Sequence, residues 1–88
     1  EIKQYTFSSC NALNTITLGE NISSLENYAF YDCSSLYMVY SKNPVPPTLG
    51  SNVFYGTKIG IIYVPTASVN VYKAAWSDYA DKIVGYDF

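Results

Sequence analysis

The stretch Leu13-Asn14-Thr15-Ile16-Thr17-Leu18 decides the fold, because its pattern returns twice along the chain. The same slots are filled 23 residues later by LYMVYS at 36–41, and after a further 23 residues by IGIIYV at 59–64. A fixed period of this length is typical of repeat proteins, in which each unit stacks on the next. Inward and outward positions alternate within each copy, which predicts a short strand. The sequence therefore predicts a solenoid whose equivalent strands form one parallel sheet.

A second motif fills the chain between these strands. Its residues recur after 23 and then 24 positions: Ile2, Tyr5, Phe7 and Cys10, then Leu25, Tyr28, Phe30 and Cys33, then Leu49 and Phe54. The spacing of the apolar residues favours one turn of irregular or 3₁₀ helix. We therefore expect an α/β solenoid of about three 23-residue repeats.

The prolines in the segment Asn43–Pro47 limit the second strand. Proline has a fixed φ and no amide hydrogen, so it cannot continue a ladder of strand hydrogen bonds. We expect the strand that begins near Leu36 to end by about Ser41, and we expect the proline loop to stand off the solenoid.

The pattern changes after Pro65. Val69, Tyr72 and Trp76 recur at i, i+3 and i+7, which predicts a helix, and Ser68 is a candidate N-cap residue.

A solenoid needs its last apolar layer and its last sheet edge covered. We therefore interpret residues 66–88 as a C-terminal cap on repeats that span residues 1–65, in one structural domain. Trp76 is the predicted anchor of this cap in the core of the last repeat. A second short helical turn over 77–82 and a terminal strand or extended tail over 83–86 are expected to complete it.

The predicted core combines the inward strand positions, the apolar residues of the second motif and Trp76. Its members are Leu13, Ile16, Leu18, Leu25, Phe30, Leu36, Val39, Leu49, Phe54, Ile59, Ile62, Val64 and Trp76.

The segments Phe7–Leu13 and Phe30–Leu36 share the pattern F-x-x-C-x-x-L, and each leads into a strand. With these motifs the chain resembles the BspA-like leucine-rich repeats of bacterial surface proteins. Pro46–Gly50, Ile62–Pro65 and Tyr72–Trp76 resemble the C-terminal end of such arrays. The resemblance implies a right-handed solenoid in an exported or surface-attached bacterial parent that adheres to host or neighbouring cells. An extracellular or cell-surface location is therefore expected.

Two positions depart from this family pattern. Ser41 stands where the pattern has an apolar strand residue, and Thr57 stands where Cys10 and Cys33 predict a third cysteine. Both lie near the end of the array, where irregular repeats are expected.

Composition narrows the function classes. Apolar residues make up 49% of the 88 residues and charged residues 14%, which favours a folded core. The net charge is −2 and the chain has no basic stripe, so nucleic acid is not an expected partner. No apolar run reaches the ~20 residues of a membrane span, so we expect no membrane insertion by this segment.

The two cysteines occupy one repeat position, which raises the question of a disulfide. Stacking would bring their Cα atoms about one strand spacing apart, ~4.8 Å. Equivalent side chains point the same way, so their Cβ atoms would also be ~4.8 Å apart, beyond the usual ~3.5–4.5 Å. We therefore predict two free, buried thiols that pack as small apolar groups.

Catalytic and cofactor chemistry have little support. The chain has no histidine, and no acidic residue recurs at the repeat period. Asp78 and Asp81 would share one helix face, and we interpret them as solvated surface. The sequence predicts a protein that is not an enzyme and has no metal or other cofactor.

The residues at the outward positions of the predicted strands are the most informative about function. Stacking predicts the ladders Thr15–Met38–Ile61 and Thr17–Tyr40–Tyr63, with Asn14–Tyr37–Gly60 beside them. The candidate partner contacts are therefore Thr15, Thr17, Tyr37, Met38, Tyr40, Ile61 and Tyr63. Aromatic residues and methionine are enriched in interface centres, but cross-strand aromatic pairs also stabilise sheets without any partner. The same patch could also be covered by the cap or by a second copy of the chain.

Three functions remain open. The first is a non-catalytic module that binds a protein or a glycan on a host or neighbouring cell. The second is a purely structural cap of a longer array, with binding in upstream repeats. The third is an accessory module of a hydrolase that positions sugars by stacking them on exposed tyrosines. Because the chain begins in mid-pattern at Glu1, we also expect that dimers could form through its N-terminal end.

Overall fold

The computed structural model describes Phe7 and residues 9–88. Its strands are β1 (Thr15–Leu18), β2 (Ser24–Leu25), β3 (Met38–Ser41), β4 (Thr48–Leu49), β5 (Ile61–Pro65) and β6 (Ile83–Tyr86). Four of them form a parallel sheet in the order β1-β3-β5-β6. The β1–β3 and β3–β5 registers join residues that stand 23 positions apart, so the sequence period is also the register of the sheet. The predicted repeat positions Ile2 and Tyr5 lie outside the described residues.

The segment over residues 83–86 is a true strand, one of the two forms expected for it. β6 pairs in parallel with β5, with Ile83 opposite Ile62 and Tyr86 opposite Pro65. The sheet thus gains a fourth strand that does not carry the repeat motif.

Of the two forms expected for the segments between the strands, the structure has the irregular turn and not the 3₁₀ helix, and it adds two short strands. β2 and β4 pair in parallel as a separate two-stranded sheet, and hydrogen-bonded turns cover residues 27–32 and 51–56. Tyr28 and Asn52 have φ values of 60° and 54°, and Asp32 and Gly56 have 60° and 79°. A 3₁₀ helix needs a negative φ at every residue, so these left-handed residues prevent it.

The core follows the prediction closely. Every predicted member is buried except Leu13, Ile16 and Leu49, which are half-buried and pack against it. Phe7, Phe30 and Phe54 stack at centroid distances of 5.2 and 5.6 Å, and we call these rings the Phe ladder. Trp76 and Tyr79 contact Phe54 at 6.3 and 5.5 Å and so cover the end of this ladder. The prediction that Trp76 anchors the C-terminal segment in the core is confirmed by its 2% exposure.

The predicted helix is α1 (Val69–Ala75), with 3₁₀ helices over Thr66–Ser68 before it and Ser77–Lys82 after it. Ser68 occupies the N-cap position, but its side chain makes no capping hydrogen bond. Its Oγ instead donates to the Pro44 carbonyl oxygen at 2.8 Å. The expected capping role is therefore wrong, because a carbonyl of the proline loop takes the hydroxyl hydrogen.

The expectation that the proline loop stands off the rest of the protein is also wrong. Tyr72 Oη donates to the Asn43 carbonyl oxygen at 2.6 Å, and Trp76 Nε1 donates to the Pro47 carbonyl oxygen at 2.9 Å. Pro47 itself is fully buried. Prolines remove amide donors but keep carbonyl acceptors, and the donors of α1 and the residues flanking it bond to those acceptors.

The two departures from the repeat pattern have local causes. Ser41 is fully buried, and its Oγ lies 2.8 Å from Tyr72 Oη. Because the Tyr72 hydroxyl donates to Asn43, Ser41 donates to Tyr72. Thr57 Oγ1 donates to the Phe54 carbonyl oxygen at 2.7 Å. The Thr57 amide also closes a turn on Phe54, equivalent to the turn that the Cys33 amide closes on Phe30.

Candidate interaction surface

The outward side of the four-stranded sheet carries the predicted ladders. Thr15 lies opposite Met38 and Met38 opposite Ile61, while Thr17 lies opposite Tyr40 and Tyr40 opposite Tyr63. We call this side the sheet face. The structure thus brings together the candidate contacts Thr15, Thr17, Tyr37, Met38, Tyr40, Ile61 and Tyr63, with Tyr37 one position before β3.

Four aromatic rings form a continuous group on the sheet face, which we call the sheet-face cluster: Tyr40, Tyr63, Tyr86 and Phe88. Tyr40 and Tyr63 stack with centroids 4.8 Å apart and planes 16° from parallel. Tyr86 contacts Tyr63 at 5.3 Å and Tyr40 at 5.7 Å. Phe88 packs on Tyr86 at 4.9 Å and reaches Tyr40 at 6.3 Å.

Tyr86 and Phe88 were missed as candidate contacts by reasoning from the repeat period. The sequence feature that could have predicted them is the apolar residue at every second position, Val84, Tyr86 and Phe88. Side chains alternate between the two faces of a strand, so these three point to the same face. These three side chains are 44%, 45% and 49% exposed, whereas Tyr40 and Tyr63 are half-buried. The C-terminal segment therefore covers part of the predicted patch and replaces it with its own exposed rings.

Tyr37 occupies a separate part of the same face. It is 54% exposed, and its ring lies over Gly60, where a Cβ atom would overlap it. A side chain at position 60 would therefore displace the Tyr37 ring from this position. Met38, Ile61 and Thr15 are half-buried beside it.

Both cysteines are free thiols. Cys33 is fully buried and donates to the Phe7 carbonyl oxygen at 2.7 Å, while Cys10 is half-buried. Burial is the main cause that raises the pKa of the Cys33 thiol, a hydrogen bond with the Cys10 backbone partly opposes the shift, and the nearby Asp32 adds to it. A buried thiol with a raised pKa is a poor nucleophile, since the thiolate is the reactive form.

The acidic pair singled out from the sequence lies on the surface. Asp78 and Asp81 are exposed on the 3₁₀ helix Ser77–Lys82, as expected, and Asp81 approaches Lys82 Nζ at 3.9 Å. Among the described residues, no three His, Cys, Asp or Glu side chains come together as a metal-binding group.

The repeat register and the stacked Phe ladder agree with a comparison against protein families. Residues 1–81 match the family described as BspA type Leucine rich repeat region (6 copies). The chain belongs to this BspA-type leucine-rich repeat family. A leucine-rich repeat domain is a protein-interaction module, and this family is generally non-enzymatic. BspA-type proteins are typically bacterial surface or secreted proteins.

Two further findings accompany this assignment. A comparison of the chain with curated proteins finds no match. In the part of the chain that the structure describes, every helix is too short or too polar to cross a bilayer.

Proposed function

We propose that this BspA-type repeat domain is a non-catalytic interaction module of an exported, adhesin-like bacterial protein. It binds a protein or a glycan on a host or neighbouring cell through the sheet face. The observation that carries the proposal is the sheet-face cluster, in which four aromatic rings touch while Tyr86 and Phe88 stay about half exposed. Contiguous exposed aromatic surface of this kind is characteristic of interaction sites.

A hollow beside the cluster supports the same proposal. Thr17, Tyr40, Tyr86, Phe88 and Lys42 surround about 310 Å³ of open space. Aromatic walls with one charged donor at the rim suit an inserted side chain or sugar ring, because recognition sites combine apolar lining with a few polar groups. The proposed contact set is therefore the seven residues predicted from the sequence, extended by Tyr86 and Phe88.

The proposal is tested by biolayer interferometry of the purified protein against a panel of host matrix proteins and glycans. We expect saturable binding that the double variant Tyr86→Ala/Phe88→Ala weakens by about tenfold or more, since interface aromatics are common hot spots. Val71→Ala is the matched control, because Val71 is 54% exposed on α1 and lies off the sheet face. Unchanged binding by a double variant with an unchanged melting temperature would contradict the assigned site.

We also propose the division of the chain into about three repeats over residues 1–65 and a C-terminal cap over residues 66–88. It is supported by the way Trp76 and Tyr79 lie against Phe54 at the end of the Phe ladder. The same observation favours a second candidate function, a purely structural cap of a longer array with binding in upstream repeats. A folded protein that binds no member of the panel would favour this second function.

A dimer through the N-terminal end is a further proposal. β1 is an edge of the four-stranded sheet within the described residues, and exposed strand edges pair readily. Light scattering during size-exclusion chromatography would give the mass in solution, and a monomer at all concentrations would contradict it.

A further inference from the structure

The protein contains a second aromatic stack outside the core. Tyr31 and Tyr55 are parallel within 10°, with ring centroids 5.4 Å apart. This stack ends differently from the Phe ladder, whose last ring is covered by Trp76 and Tyr79. Among the described residues, Tyr31 is the ring that stacks on Tyr55, and Tyr55 is 59% exposed.

A groove of about 330 Å³ lies beside Tyr55 and the start of the 3₁₀ helix Ser77–Lys82. Three aromatic residues line it: Tyr55, Trp76 and Tyr79. Asn52 and Asp78 supply polar side chains at its rim, and both are exposed. Its volume falls within the range of small-ligand sites, and its lining combines aromatic residues with polar side chains.

The charges around the groove restrict its ligand. Asp78 is negatively charged, and the described residues that line the groove include no lysine, so an anionic ligand is disfavoured. Burial, and secondly the nearby Asp78 carboxylate, raise the pKa of the Tyr79 phenol, which therefore stays neutral at physiological pH. The groove thus offers an aromatic face, a carboxylate acceptor and an amide that both donates and accepts.

An uncharged pyranose ring has matching chemistry. One of its faces carries C–H groups that pack on an aromatic ring, and its edge carries hydroxyls that donate to carboxylates and bond to amides. We propose that this groove binds a terminal pyranose of an uncharged glycan, stacked on the face of Tyr55 turned away from Tyr31, with its hydroxyls bonded to Asp78 and Asn52. This site is separate from the sheet face, so either can fail without the other.

The test is saturation-transfer NMR on the whole protein, with the methyl glycosides of glucose, galactose, mannose and N-acetylglucosamine as probes. We expect at least one probe to receive saturation from the protein's aromatic protons. Tyr55→Ala should weaken that binding by about tenfold, because the stacking surface is lost, while Tyr55→Phe should keep it. Asp78→Ala should also weaken it by about tenfold or more, because hydrogen bonds to charged groups are strong.

Val71→Ala is the matched control, because Val71 is exposed on α1 and does not line the groove. Tyr86→Ala tests whether the sugar binds to the sheet face instead. Sugar binding that survives Tyr86→Ala and fails in Tyr55→Ala supports the groove. No saturation of any probe by the folded protein would overturn the proposal while leaving the sheet-face function intact. Loss of sugar binding in Tyr86→Ala with retention in Tyr55→Ala would also overturn it and would assign the sugar to the sheet face.

Discussion

Residues with a left-handed backbone conformation recur at equivalent positions of successive repeats, so the repeat constrains the φ value of single residues. Ser9, Asp32 and Gly56 occupy one such position with φ of 57°, 60° and 79°, and Tyr28 and Asn52 occupy another. The amide of Asp32 donates to the Tyr55 carbonyl oxygen at 2.7 Å, so this position also joins neighbouring repeats. An L-residue in this conformation costs roughly 1–2 kcal/mol, which glycine avoids.

Gly56→Ala is expected to destabilise the protein. A Cβ atom at Gly56 would overlap the Asp32 carboxylate and lie 3.1 Å from Asp32 Cα, and the φ of 79° would be strained. We expect a loss of about 1–2 kcal/mol in the free energy of unfolding, measured by urea denaturation. Gly19→Ala is the matched control, because nothing lies within 4 Å of the added Cβ. A Gly56→Ala variant as stable as Gly19→Ala would mean that the turn relaxes freely.

At the scale of elements, the most informative contact is between the proline loop and the segment around α1. Ser68, Tyr72 and Trp76 follow one another at intervals of four residues and donate to the carbonyl oxygens of Pro44, Asn43 and Pro47. Intervals of four residues place side chains on one helix face. One face of the helical segment therefore satisfies three backbone acceptors of a loop that is short of backbone donors.

Tyr72→Phe tests whether this contact holds the helix on the repeats. The change keeps the buried ring but leaves the Asn43 carbonyl oxygen and the Ser41 hydroxyl without their partner. A buried polar group without a partner costs about 1–3 kcal/mol, so we expect a loss of that size in urea denaturation. Tyr37→Phe is the control, because the Tyr37 ring is 54% exposed, and its stability should change by less than about 0.5 kcal/mol. Equal stability of the two variants would show that the hydroxyl network contributes little.

The repeat period predicts the elements that obey it. The registers Thr17–Tyr40–Tyr63 and the burial of Phe30 follow from equal spacing, because stacked units place equivalent residues in one column. The period does not predict that β6 pairs with β5 or that Tyr86 lies on the sheet face, because the segment that contains them is not one of the repeated units. The role of Ser41 was equally hidden, since its partner Tyr72 lies 31 residues away.

At the scale of the whole molecule, one thiol and two phenols that are shielded from water make the stability depend on pH in the same direction. Burial raises the pKa of the Cys33 thiol and of the Tyr72 phenol above their ordinary values of 9.0 and 10.0, and a hydrogen bond from Ser41 partly opposes the shift in Tyr72. The pKa of Tyr79 is raised by burial and by Asp78. Each group keeps its proton to a higher pH in the folded state than in the unfolded chain. At pH values near and above the ordinary pKa values, the folded state therefore binds more protons than the unfolded chain.

Stability should therefore be constant with respect to these groups below about pH 9 and should fall as the pH rises further. In the unfolded chain the Cys33 thiol is half deprotonated at pH 9.0 and the phenols of Tyr72 and Tyr79 at pH 10.0, whereas the folded protein loses these protons at higher pH. Urea denaturation at a series of alkaline pH values measures the slope. The double variant Tyr72→Phe/Tyr79→Phe is expected to start less stable but to lose stability less steeply, because the two phenols whose pKa is raised by burial are absent. A wild-type free energy of unfolding that stays level or rises above pH 10 would contradict the burial of these groups.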